Sequence, residues 1–170
     1  MTTNSLQELY IEQLQDLYSA EQQIIKALPK MIEATQSDEL GSALKEHLEV
    51  TKKQANRIEA ICQELGEDPE NEKCKGMEGL LAEGKEMMDE YKGDPALDAV
   101  LIAAAQKVEH YEIASYGTIC AWAEQMGHSD ARLVLQRYGH LYPGASERAA
   151  EALDNVTRSE RRVGEAWGGA

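Results

Sequence analysis

The sequence predicts an all-α protein, and three observations support this. Apolar residues recur at intervals of three and four positions over most of the 170 residues, which is the spacing of one buried helix face. Only four prolines, which interrupt helices, are present, and there is no sustained alternation of apolar and polar residues as in strands. The 42% hydrophobic content is sufficient for one ordinary core at this length.

The first helix is predicted from Ser5 to about Ala34. The Ser5 side chain can cap its first turn, and Glu8, three residues later, completes a capping box. The apolar face of this helix consists of Leu6, Leu14, Leu17, Ile24 and Leu28.

The second helix is predicted to follow Ser37 and Asp38 and to end before Gly66, a residue type that favours helix C-termini. A short turn separates it from the first helix, so the two are expected to pack antiparallel. Its apolar face consists of Leu40, Leu44, Leu48, Ile58, Ile61 and Leu65.

A long connection follows, and it is predicted to contain a short additional helix over 77–91. The next long helix is predicted to start at Asp94 and Pro95, because aspartate caps helices and proline is tolerated in the first turn. It is expected to reach Met126 and to end at Gly127.

The last helical segment is predicted to start at Ser129 or Asp130 and to extend towards Val156, with an interruption at residues 142–144. Two antiparallel helix pairs joined by one long crossover describe a ferritin-like four-helix bundle. We therefore expect the bundle to span residues 1–157 and a flexible tail to span residues 158–170, which are glycine-rich and without periodicity.

Composition excludes several classes of function. A formal net charge of −14 disfavours binding to nucleic acid, which requires lysine and arginine against the phosphates. No apolar run approaches the roughly 18 residues of a membrane span, and the N-terminal MTTNSLQELY lacks the pattern of a secretory signal, so a cytoplasmic location is expected. Three cysteines without a C-x-x-C pair predict neither a disulfide framework nor a zinc knuckle.

The informative polar residues are those that face inward. At about 100° per residue, Glu21 lies roughly 35° from the middle of the first apolar face, and Glu112 lies about 20° from the middle of the third. His47 lies within the apolar face of the second helix, and Glu109 lies one turn before Glu112 on the flank of the same face. These four residues are the candidate site.

A buried carboxylate costs several kcal/mol unless it is protonated, paired with a cation or bound to a metal. Lysine and arginine are missing from the inner faces, so inward Glu with an inward His is the donor chemistry of an iron or manganese site. Three alternatives stay open at this point. Glu21 can be satisfied by Tyr, Ser or water, His47 can be an ordinary core histidine, and Glu109 can be a solvated rim residue.

Four segments resemble the YciF/YciE family of bacterial stress-associated ferritin-like proteins: DLYSAEQQIIKALPKM, HLEVTKKQANRIE, CKGMEGLLAE and ALDAVLIAAAQKVEHYEIASYGT. The resemblance covers nearly all of residues 6–157. It implies a four-helix bundle related to rubrerythrins, a homodimer and a candidate dimetal centre without an established reaction. Carried over to this chain, it implies metal ligands at Glu21, His47, Glu109 and Glu112.

The chain departs from the family pattern in two places. Where the family has an acidic residue shortly after the inward histidine, this chain has Val50 and Lys52. The two inward carboxylates of the family's last helix correspond here to Tyr142 and Ser146. Two functions are therefore carried forward. One is a full or degenerate iron or manganese site that handles peroxide or dioxygen, and the other is a metal-free structural homodimer without catalytic activity.

Overall fold

The computed structural model describes residues 6–127, apart from the side chains of 124 and 125. Four helices make up this part of the chain: α1 (Leu6–Ala34), α2 (Asp38–Leu65), α3 (Lys75–Glu90) and α4 (Leu97–Met126). A single 3-10 turn, Pro69–Asn71, lies between α2 and α3. All regular elements within these residues are helical, which confirms the predicted all-α class for the described part.

The helix ends of α2 follow from capping residues that are visible in the sequence. The Ser37 hydroxyl accepts a hydrogen bond from the Leu40 N–H at 3.2 Å, which satisfies one of the free donors of the first turn. Gly66 adopts a left-handed conformation with φ of +77°, which is strained for residues with a Cβ. Both predicted ends are confirmed.

The start of α4 differs from the prediction. The helix begins at Leu97, two residues after the proline that was expected to be its first residue. The Asp94 carboxylate accepts a hydrogen bond from the Ala96 N–H at 2.7 Å, so the aspartate closes a separate turn ahead of the helix. Asp98 then joins the helix to the α1–α2 turn, because its carboxylate accepts a hydrogen bond from the Thr35 hydroxyl at 2.8 Å.

Helix α3 packs against α1 and α4 through a small polar cluster. The Tyr111 hydroxyl of α4 donates to Asp16 of α1 at 2.8 Å and lies 3.0 Å from the Cys74 thiol, which caps α3. The Tyr111 ring also lies directly over Gly76, where a Cβ would come within 2.7 Å of it. Glycine is therefore needed at this position for close approach of the two helices.

The core lies where the apolar faces of α1, α2 and α4 meet. It contains Leu14, Leu17 and Ile24 of α1 with Ile58 of α2 and Ile119 of α4. The same faces carry the inward acidic residues, so the packing that buries leucine and isoleucine also encloses carboxyl groups.

Several predictions fall outside the described residues. The last helical segment with Tyr142 and Ser146, the domain limits at 1–157 and the tail at 158–170 are among them. None of the helices within residues 6–127 has the length and hydrophobicity required to cross a membrane.

Candidate metal centre

One histidine and two glutamates meet between α2 and α4. His47, Glu109 and Glu112 each offer a donor atom, and these atoms all lie within 4.8 Å of one another. Glu109 and Glu112 are three residues apart and therefore share a face of α4. His47 Nδ1 lies 3.3 Å from Glu109 Oε1, which is close enough for an ion pair when the imidazole is protonated.

The candidate residues differ in their burial. The Glu21 and Glu112 side chains are completely enclosed, as expected from their positions on the apolar faces. The His47 and Glu109 side chains retain 20% and 16% exposure. The cluster therefore has a buried acidic side and a partly exposed side with a histidine.

Glu21 of α1 belongs to the buried side of the cluster but not to the three-donor group. The Tyr116 hydroxyl donates a hydrogen bond to Glu21 Oε1 at 2.6 Å. Burial raises the pKa of Glu21 to about 8, and hydrogen bonds with Tyr116 and Glu112 offset only part of this effect. The negative charge of Glu109 raises the pKa further.

The second carboxyl oxygen of Glu21 is the strongest sign that the site accommodates a cation or a proton. Among residues 6–127, no N–H or hydroxyl group donates a hydrogen bond to Glu21 Oε2, although the atom is fully buried. The acidic residue next to Glu21 is Glu112. The two carboxyl groups can share a hydrogen bond only when one of them is protonated. Below about pH 8 a proton meets this need, and a metal ion bound to the deprotonated ligands would meet it in place of the proton.

Tyr116 has a more specific role than sequence reasoning gave it. The sequence left open that a tyrosine satisfies Glu21, and the Tyr116 hydroxyl holds one oxygen of this carboxyl. Burial raises the pKa of Tyr116 well above its usual range, so the hydroxyl keeps its proton and remains a donor. Its position four residues after Glu112, and thus on the same helix face, was the available signal.

One cation lies closer to the site than the sequence suggested. Arg57 of α2 is half-buried, and its positive charge opposes the rise in the pKa of Tyr116. Within the part of the chain that the structure describes, Arg57 forms no ion pair with any of the four candidate residues.

Other polar residues of α2 add no further carboxylate to the cluster. Glu46 and Glu49 are exposed, and Glu49 pairs with Lys52 at 2.6 Å. Thr51 is buried, and its hydroxyl donates to the backbone carbonyl of His47 at 3.0 Å. Among the described residues of α2, His47 is thus the one that contributes a donor to the three-residue group.

The donor set fits a first-row divalent metal. Imidazole and carboxylate together suit iron, manganese and zinc, whereas a site with a histidine is unusual for calcium or magnesium. The two family positions of the last helix, Tyr142 and Ser146, lie outside the described residues, so they add nothing to this set here.

Comparison with known proteins places the chain in a family. A family model described as a domain of unknown function (DUF892) matches residues 5–159. The chain belongs to this family. Protein YciF of Escherichia coli K12 is 42% identical over 137 residues, which cover 80% of this chain and 82% of that protein. The predicted relationship to the YciF family is therefore confirmed.

Two solved structures have the same overall arrangement. The crystal structure of the E. coli stress protein YciF has a TM-score of 0.83 at 37% identity and covers 92% of this chain and 99% of that one. YcfI from Rhodopseudomonas palustris, described as a candidate structural protein, has a TM-score of 0.80 at 40% identity. The match covers 88% of this chain and 95% of the YcfI chain.

Proposed function

We propose that the chain is a ferritin-like four-helix bundle that binds iron or manganese and acts in a stress response. The ligands in this proposal are His47, Glu109 and Glu112, with Glu21 as the buried carboxylate behind them. The observation that carries the proposal is the convergence of one imidazole and two carboxylates within 4.8 Å, next to a second buried carboxyl with a raised pKa. The relationship to a protein described as a stress protein supports the biological setting.

The residues of the chain would prepare this site before any ion binds. Tyr116 fixes the position of Glu21, and the Glu109–His47 contact brings the histidine ring towards α4. The enclosed acids supply negative charge that the ion would balance. When bound, iron or manganese supplies a redox-active centre, and peroxide or dioxygen is the substrate class that this chemistry serves.

We favour a degenerate site with one ion over a complete pair. The described residues supply one histidine and three glutamates, whereas a carboxylate-bridged pair in this fold takes a glutamate from each of two helices and a Glu-x-x-His motif from each of the other two. The remaining family positions are Tyr142 and Ser146, which are weaker ligands for iron or manganese than carboxylates.

A second function has support from a specific observation. The Tyr116–Glu21 hydrogen bond and the raised pKa of Glu21 allow the acids to remain protonated without metal. The chain would then be a metal-free structural protein, and the homodimer expected from the family resemblance would be its functional form. One relative, YcfI, is described as a candidate structural protein.

Glu112→Leu distinguishes the two functions, with Glu46→Leu as the matched control on an exposed surface of α2. Metal content is measured by elemental analysis of protein from metal-replete cells and by titration of the chelated protein with Mn²⁺. We expect near-stoichiometric metal in the wild type and the control, and loss of metal in Glu112→Leu. The metal-free variant is expected to be as stable as the wild type or more stable, because a buried acid is replaced by an apolar side chain.

Substoichiometric iron, manganese and zinc in the wild type, together with no saturable Mn²⁺ binding, would refute the metal proposal and leave the structural function. Retention of metal by Glu112→Leu would refute the assigned ligands. Light scattering on the same samples tests the proposed homodimer independently of metal.

A further inference from the structure

An open cavity of about 340 Å³ lies between α1, α3 and α4. Buried Leu28 and Leu101 form part of its floor, and half-buried Leu81 and Met88 of α3 line it as well. His47 is also a lining residue, so the cavity reaches the histidine of the candidate metal centre. Ligand sites in proteins typically have this size and a mainly apolar lining with a few polar groups.

Lysines outnumber acids among the described residues that line this cavity, where the one acidic side chain, Glu78, pairs with Lys73. Lys26 and Lys30 line it from α1, and they are one helical turn apart and both exposed. Within residues 6–127 neither lysine takes part in an ion pair, whereas Lys85 on the α3 side pairs with Asp89 at 2.7 Å. Two ammonium groups beside an apolar cavity, without an ion-pair partner in the described part of the chain, contrast with the net charge of −14 of the whole chain.

We propose that this cavity binds a single-chain fatty carboxylate. The carboxylate would lie against the ammonium groups of Lys26 and Lys30, and the hydrocarbon chain would occupy the apolar space between α1, α3 and α4. The charge complementarity selects an anion, because a neutral apolar ligand would gain nothing from the lysines. The apolar lining selects a ligand with a hydrocarbon chain over a small inorganic anion.

The proposal does not depend on metal binding. His47 connects the cavity to the metal centre, but the contacts invoked for the fatty carboxylate are to lysines and to apolar side chains. A failure of the metal proposal therefore leaves this one standing, and the reverse also holds.

Isothermal titration with decanoate, below its micelle concentration, tests the proposal on the protein as purified and again after chelation. We expect saturable binding of one decanoate per chain in both samples. Lys26→Gln combined with Lys30→Gln is expected to weaken decanoate binding about tenfold. The same charge change at exposed Lys45 and Lys53 of α2 is the control and should leave the affinity unchanged.

A second variant fills the apolar space. Ala105 lines the cavity, so Ala105→Leu is expected to abolish decanoate binding, whereas Ala103→Leu on an exposed position of α4 should not. Circular dichroism reports whether each variant is folded, and the lysine variants decide the question if Ala105→Leu does not fold.

Three results would overturn the proposal. The first is the absence of saturable decanoate binding to the wild type. The second is equal affinity for decanoate and the uncharged 1-decanol with no effect of the lysine substitutions. The third is unchanged binding by a folded Ala105→Leu variant.

Discussion

Glu21→Gln should change how the stability of the metal-free protein depends on pH. Burial raises the pKa of Glu21 from 4.5 to about 8 in the folded state. Between these two values the folded chain holds a proton that the unfolded chain has released, so the free energy of unfolding must fall as pH rises. The slope from this one group is about 1.4 kcal/mol per pH unit, and the total loss is at most about 5 kcal/mol.

Glutamine keeps the shape of the side chain and an oxygen that can accept the Tyr116 hydrogen bond, but it cannot ionise. The variant and the wild type are therefore expected to have similar stability near about pH 5. At about pH 9 Glu21→Gln is expected to be the more stable protein by several kcal/mol. Replacement of exposed Glu46 by glutamine removes the same charge without burial and serves as the control.

Urea unfolding followed by far-ultraviolet circular dichroism, with chelator present throughout, measures this difference. The reasoning is refuted if the wild type and Glu21→Gln show parallel free energies of unfolding from about pH 5 to about pH 9. In a separate series without chelator, saturating Mn²⁺ should narrow the difference at high pH, because the charge of an ion held by His47, Glu109 and Glu112 would offset the buried negative charge of wild-type Glu21.

Two further substitutions test the packing of α3 against α4 and the buried hydrogen bond to Glu21. Gly76→Ala should destabilise the protein by about 1–3 kcal/mol, because the new Cβ would lie 2.7 Å from the Tyr111 ring. Gly79→Ala is the control, since its Cβ would meet no atom within 4 Å, and it should be neutral or stabilising. Equal urea midpoints for the two variants would contradict this prediction. Tyr116→Phe should lower the free energy of unfolding by about 1–3 kcal/mol, because it removes the hydrogen bond to Glu21. It should also raise the pKa of Glu21 further, since that hydrogen bond lowers the pKa. The pH series described above would then show the loss of stability continuing to higher pH than in the wild type.

The helices could be predicted from the sequence because their signals are local. Spacing of apolar residues located α1 and α2, and Ser37 and Gly66 marked the ends of α2 through hydrogen bonds within one turn. The start of α4 was two residues off, since Asp94 can cap either a helix or an isolated turn and the sequence does not distinguish the two.

The burial of the acids was also predictable, but their partners were not. The angular position of each residue around its helix axis places Glu21 and Glu112 inside. Which side chains of neighbouring helices meet depends instead on how far the helices are shifted along their axes. The offset of the helices along their axes brings the Tyr116 hydroxyl to Glu21, and it places Arg57 near enough for its charge to lower the pKa of Tyr116. Both contacts join residues far apart in sequence, for which helix periodicity gives no information.

The most direct test of the account is anomalous diffraction at the iron and manganese edges from crystals of the wild-type protein grown with each ion. The account predicts one strong peak within bonding distance of His47, Glu109 and Glu112, close to Glu21. Absence of an anomalous peak at these residues at full metal concentration, with Glu21 and Glu112 sharing a short hydrogen bond instead, would contradict it.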